Sequence, residues 1–194
     1  MKKSKTLSLP ILLLLMWSVE LPAKARPALS IRSVDFRNFT FEKSGSWNGK
    51  LILRNGSYQE KDTASLYQTA KLVALKYVDI DDDRKEEAVI AIRSNFPGSM
   101  PVAMDYYVFA YRDGTAYQVF HKWQEGPEGI CIRGKSIIII AAVWEDKDAH
   151  CCPSYTERRV YRWIGGQLKV ASRRAWKNSP FQYPGRLRRA NPCG

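Results

Sequence analysis

Ile137-Ile138-Ile139-Ile140-Ala141-Ala142-Val143 is a run of seven apolar residues, four of them isoleucine, bounded by Ser136 and Trp144. β-Branched side chains are stiff at χ1 and pack well on a pleated surface, so the run favours a strand. It is far shorter than the ~20 residues that a helix needs to cross a bilayer. It also has no polar alternate face, which marks a strand covered on both sides. Its neighbours show how it is connected. Gly134-Lys135 separates it from Ile130–Arg133 by a two-residue turn. After it, Thr156–Trp163, the turn Ile164-Gly165-Gly166-Gln167 and Leu168–Ser172 repeat the strand–turn–strand pattern.

The same pattern continues towards the N-terminus. Val102–Tyr111 is aromatic and apolar at successive positions, as in a central two-sided strand, and Arg112-Asp113-Gly114-Thr115 turns it into Ala116–Trp123. Gly126-Pro127-Glu128-Gly129 breaks the chain. Ala70–Val78 and Ala88–Arg93 flank an acidic turn. Lys50–Arg54 and Ser57–Glu60 flank Asn55-Gly56, a dipeptide that accepts positive φ at both positions and predicts a hairpin. Ile31–Glu42 holds Phe36, Phe39 and Phe41, and Asp62–Gln68 is the best place for a short helical turn. The expectation is an all-β fold of about nine or ten short strands with little helix. It would be one antiparallel meander domain over residues 26–176, either a sandwich or an incomplete propeller-like sheet. Residues 177–194, with Pro180, Pro184 and Pro192, read as an irregular basic tail. The 194-residue length suits one ordinary domain.

Residues 1–25 read as a secretory signal peptide. Lys2, Lys3 and Lys5 precede an apolar run of 13 residues, Leu7 to Val19, and Ala23-Lys24-Ala25 offers small residues at alternate positions for cleavage after Ala25. The expected location is secreted or periplasmic, with no transmembrane segment after cleavage. In an oxidising compartment an even cysteine count favours disulfides, so Cys131, Cys151, Cys152 and Cys193 are read as half-cystines with the pairing open. If Gly134-Lys135 is a hairpin turn, a link from Cys131 to Cys151 or Cys152 spans most of a strand, and the alternative is Cys131–Cys193 with a rare, strained bridge between the neighbours Cys151 and Cys152. A thiol-active role for Cys151 or Cys152 with His150 or His121 needs a base held against the sulfur, and sequence adjacency alone does not supply that.

The positive charge has an address. Residues 157–194 hold ten basic side chains and a single acid, Glu157, whereas residues 26–156 are neutral. Arg173, Arg174, Lys177, Arg186, Arg188 and Arg189 are the candidate contacts for an anionic envelope polymer or an acidic protein surface. Export argues against nucleic acid as the natural partner. The same charges would also serve as a solvated basic surface. Trp47, Trp123, Trp144, Trp163 and Trp176 could line a sugar-binding face, or could be core.

Asp79-Ile80-Asp81-Asp82-Asp83-Arg84-Lys85-Glu86-Glu87 places carboxylates at relative positions 1, 3, 5 and 9. Alternating carboxylates on a tight loop can converge on one hard cation, so Asp79, Asp81, Asp83 and Glu87 are candidate Ca2+ ligands. Arg84 stands where such loops favour glycine. The segment resembles the Asp-rich strand turns of FG-GAP and VCBS proteins, and the resemblance implies calcium binding. His150-Cys151-Cys152-Pro153-Ser154, followed by Tyr161, Trp163 and Gly165-Gly166, is similar to a group of small exported bacterial proteins, distantly the LppP/LprE lipoproteins. That resemblance implies a fold and an export route and no activity. The leading expectation is an exported, non-enzymatic β-domain that binds an anionic partner through its basic C-terminal region. The alternative is a calcium-stabilised structural or adhesion module, and an envelope enzyme or thiol-active protein ranks below both.

Overall fold

The computed structural model describes residues 30–47, 49–61, 67–96, 102–126, 129–149 and 152–177. The signal-peptide reading, Cys151, Cys193, His150, Arg186, Arg188 and Arg189 lie outside them. Two 3-10 turns, Ile31–Ser33 and Phe36–Asn38, lead into β1 (Thr40–Ser44), β2 (Gly49–Ile52), β3 (Ser57–Lys61) and β4 (Tyr67–Val78). Then come β5 (Glu87–Asn95), β6 (Ala103–Arg112), β7 (Thr115–Glu125), β8 (Ile130–Arg133), β9 (Ser136–Val143), β10 (Tyr155–Ile164) and β11 (Gln167–Lys177). The strands form three antiparallel sheets: β1-β2, the meander β3-β4-β5-β6-β7, and β11-β10-β9-β8. The all-β expectation is met. Among the described residues no helix is long and apolar enough to cross a membrane.

The five-stranded sheet is the middle layer, because β5 and β6 are apolar on both faces. Ala88, Ile90 and Ile92 sit opposite Phe109, Tyr107 and Asp105, and these positions share one face. The apolar members of that face pack against Ile31, Phe36, Phe41, Leu51 and Leu53 of the N-terminal layer. The rings of Phe41 and Tyr107 lie 4.8 Å apart. Val89, Ala91, Met104, Tyr106 and Val108 cover the other face and pack against Ile137, Ile139, Tyr161 and Leu168 of the four-stranded sheet. Strands buried from both sides cannot alternate polar with apolar residues, so they read as continuous apolar runs.

Two local expectations need correction. Asn55 and Gly56 do adopt positive φ, 51° and 78°, but the flanking strands part at once. Only the bridge Arg54↔Ser57 joins them; β2 pairs with β1 and β3 pairs with β4. The turn is anchored across layers instead, since Gly56 donates its N–H to the Arg37 carbonyl at 2.7 Å and accepts from Leu72 N–H at 2.9 Å. The aromatic segment Ile31–Glu42 holds both 3-10 turns and becomes strand from Thr40. Of the expected helical turn, Tyr67 and Gln68 open β4, and residues 62–66 lie outside the described ones. In addition, β11 runs to Lys177, past the expected strand end at Ser172, so Arg173, Arg174, Trp176 and Lys177 belong to a strand, and Lys177 moves from the expected tail into it.

Candidate metal centre

The acidic segment links β4 to β5 and is shaped by its own carboxylates. Asp79 Oδ1 accepts the N–H of Asp82 at 2.8 Å, Asp81 Oδ1 accepts that of Asp83 at 3.1 Å, and Asp83 Oδ1 accepts that of Lys85 at 2.7 Å. Short polar side chains that bond the backbone two or three residues on stabilise tight turns. Asp82 and Arg84 sit at φ 71° and 68°, in the left-handed region. Arg84 therefore takes the conformation for which glycine is the easier residue, at a cost of about 1 kcal/mol.

Oxygen atoms of Asp79, Asp81 and Glu87 lie within 4.8 Å of one another. Asp83 is outside this group; its Oδ1 is turned to the Lys85 amide. Glu87, at the start of β5, is only 3% exposed. Its Oε2 accepts the Ile80 N–H at 2.8 Å. Burial pushes its carboxyl up to about 7, and the charges of Asp81, Asp83 and Asp79 add to the rise. Crowded carboxylates of this kind are relieved by a cation, and three converging oxygen donors suit a hard divalent ion completed by carbonyls or water.

The turn is also held from two other layers. Lys135, in the β8–β9 hairpin, pairs with Asp82. Arg32, in the first 3-10 turn, makes a two-point contact with Glu86, Nε to Oε2 at 2.5 Å and Nη2 to Oε1 at 2.7 Å. The β4–β5 turn thus touches the N-terminal layer and the four-stranded sheet as well as its own.

A second polar cluster escaped the sequence reading. Asp105, on β6, is fully buried. Its Oδ1 accepts the Gly45 N–H at 2.9 Å and contacts His121 Nε2 at 2.7 Å, and its Oδ2 accepts the Ser44 hydroxyl at 2.9 Å. Burial pushes this carboxyl up, but hydrogen bonds from His121, Ser46, Gly45 and Ser44 outweigh it and hold the group below the usual range. The His121 ring stacks on Tyr107 at 4.7 Å, and Tyr107 donates to the Lys43 carbonyl at 2.8 Å. With both serine hydroxyls directed to the carboxylate, the arrangement clamps the turn after β1. The signal in the sequence was one acid inside the apolar strand Val102–Tyr111.

The remaining candidates are dispersed. Cys131 is 1% exposed and clusters with Ile138 and Val160, whereas Cys152 is exposed; neither is a free thiol. His121 is committed to Asp105. The tryptophans line no single face: Trp47 donates to Ser94 at 3.1 Å on the N-terminal side of the middle sheet, and Trp163 packs between the two large sheets. Arg173, Arg174 and Lys177 are exposed on β11. Comparison with protein-family models, curated proteins and solved structures gives no match, so the resemblances stated above rest on their quoted residues alone.

Proposed function

We propose that the chain is an exported, non-enzymatic β-module whose β4–β5 turn binds calcium and thereby ties its three layers together. The observation that carries this reading is the convergence of Asp79, Asp81 and Glu87 within 4.8 Å around a buried carboxylate. Calcium takes six to eight oxygen ligands, so backbone carbonyls and waters would complete the shell. An ion there would neutralise a turn that already contacts Lys135 and Arg32, so its effect would be on the stability of the whole stack. The absence of free thiols among the described cysteines supports an oxidising location. The test is calcium titration of the full chain by calorimetry, with thermal melts in calcium and in EDTA. Single-site heat and a calcium-dependent rise in Tm, both lost in Asp81→Ala, support the reading; no heat and no shift overturn it.

A second reading, binding of an anionic envelope polymer or acidic protein by the basic C-terminal region, is favoured by the exposure of Arg173, Arg174 and Lys177 on an edge strand. Salt-sensitive retention on an anionic matrix, lost on reversing those three charges, tests it.

A further inference from the structure

We infer that the chain's own C-terminal segment, residues 178–192, is strapped across the outer face of the four-stranded sheet by a disulfide between Cys131 and Cys193. Ile137 and Ile139 of β9 and Tyr161 of β10 pack inward against the five-stranded sheet. Alternate positions of a strand point the other way. The register sets Cys131 beside Ile138, Ile138 beside Val160, and Ala142 beside Thr156 on that outer face. Side chains pointing out of an outer layer meet water unless something covers them. Yet Cys131, Ile138, Ile140, Thr156 and Val160 are each 7% exposed or less. Among the described residues, no partly buried hydrophobic packs against the cluster of Cys131, Ile138 and Val160, whereas several pack against each main cluster.

The cysteines identify the cover. Cys131 and Cys152 are both disulfide-bonded. Bridged cysteines hold their Cα atoms within about 7 Å of each other. Cys131 pairs with Ile138, five residues along β9 from the Val143↔Tyr155 pair, and β8 is two strands across from β10. At about 3.3 Å per residue and 4.8 Å per strand, Cys131 stands roughly 19 Å from Tyr155. The β9–β10 connection is folded on itself at the Tyr155 end. Asp148 Oδ2 accepts the N–H groups of Glu145 and Ser154, both at 2.7 Å, and Cys152 donates its N–H to the Ala149 carbonyl at 2.8 Å. Only a fully extended chain would bring Cys151 near Cys131, and this stretch is a closed turn. Cys193 is therefore the partner of Cys131, which leaves Cys151 to Cys152.

The length and composition of the segment suit the path. β11 ends at Lys177, opposite Tyr155. From there to Cys131 is roughly 22 Å, on a diagonal that passes Thr156, Ile140 and Ile138. Residues 178–192 extend to about 50 Å, so the chain crosses the face with slack. Pro180, Pro184 and Pro192 keep the segment out of a helix, and Phe181, Tyr183 and Leu187 are the apolar side chains it lays on the face. The Sγ–Sγ bond forms as the two thiols give up two protons and two electrons to a disulfide-bearing oxidant, which leaves as a dithiol. The closed loop encloses β8 to β11, so the bond removes freedom from the unfolded chain as well. Arg186, Arg188 and Arg189 are then carried on a loop tied at both ends, and none of this depends on calcium.

The experiment is a disulfide map of the full chain, produced through an oxidising export route, alkylated and digested with trypsin without reduction. Trypsin places Cys131 in residues 123–133, Cys151 and Cys152 together in residues 148–158, and Cys193 in residues 190–194. The expected map joins 190–194 to 123–133 and gives 148–158 an internal bridge. Residues 190–194 recovered free before reduction, or all three peptides in one assembly, would overturn the bond. The cover is read separately in Phe181→Ser/Leu187→Ser, which keeps every cysteine, with Arg186→Ser/Arg188→Ser as control; circular dichroism confirms that each is folded. The first variant should bind an apolar dye such as bis-ANS severalfold more strongly and melt at a lower temperature, and the control should do neither. Dye binding and Tm equal to wild type in the first variant would overturn the cover even with the bond in place. All measurements are made in EDTA, which keeps their outcome separate from that of the calcium reading.

Discussion

His121 Nε2 lies 2.7 Å from Asp105 Oδ1, and the same carboxylate holds the Gly45 amide and the Ser44 hydroxyl. One buried side chain thus joins β6, β7 and the turn that follows β1. A buried carboxylate persists only when its lone pairs are filled, and here they are. Asp105→Asn keeps the shape but loses the charge-assisted bonds, with an expected cost of about 2–4 kcal/mol in urea or thermal unfolding at neutral pH. The pH dependence has a definite sign. The folded carboxyl is held below its unfolded value, so the unfolded state binds the proton more readily. The contribution is fully present above the ordinary carboxylate range and is lost as pH falls through the lowered folded value. The stability gap between wild type and Asp105→Asn should therefore narrow in acid, and a gap that stays constant below that range would contradict the assignment.

The same turn admits no side chain at Gly45. A Cβ there would lie 2.3 Å from Trp123 Cγ and 2.4 Å from its Cβ. Trp123 is itself fixed by its indole N–H to Ser46 Oγ at 3.1 Å. Gly45→Ala is expected to cost about 1–3 kcal/mol through overpacking and to shift tryptophan emission. Gly114 makes the comparison: it has φ +81° but open space around its missing Cβ. Gly114→Ala should cost only about 1 kcal/mol, the price of the left-handed backbone, with no change in emission.

The fold was legible where burial is two-sided. Val102–Tyr111 and Ile137–Val143 are apolar at successive positions, and each became a strand inside a layer. The N-terminal layer was not legible in the same way. Its connections depend on tertiary bonds, such as Gly56 to Arg37 and Leu72, that leave no local pattern. The acidic turn was visible as a spacing of carboxylates, but the spacing did not reveal that Asp83 caps Lys85 while Glu87 is buried. Asp105 was the harder case. A lone acid in an apolar strand marks a buried charge, yet its partners stand some sixty residues upstream at Ser44 and Gly45 and sixteen downstream at His121.

Glu87 should make the cation-free protein less stable as the pH rises. Burial holds its folded carboxyl up at about 7, against about 4.5 for an ordinary glutamate. The folded state holds the proton more tightly, so this group's stabilisation is complete below the unfolded value and lost as pH passes 7. The difference corresponds to about 3 kcal/mol between a pH below the unfolded value and a pH above 7. Glu87→Gln should flatten the profile in EDTA and raise stability above neutrality. In calcium the order should reverse, because the ion compensates the wild-type carboxylate and the amide is a poorer ligand. Melts of both proteins across this range, with calcium and with EDTA, check the two signs together.

Lys135 tests whether the turn senses the four-stranded sheet. Its ammonium pairs with Asp82, and both side chains are largely solvated, so Lys135→Ala should change stability by less than about 1 kcal/mol. Its effect on the ion should be larger in proportion. Removing a positive charge paired to Asp82, on the turn that carries Asp79, Asp81 and Glu87, leaves that turn more negative, and calcium affinity should rise roughly two- to fivefold at low salt. Added salt should erase much of that gain, since screening acts on an exposed charge. The control is Lys177→Ala at the far end of β11, which should leave calcium affinity unchanged. Equal affinity in wild type and Lys135→Ala at low salt would mean that the hairpin contact does not reach the carboxylates, and that the turn responds to its own sheet alone.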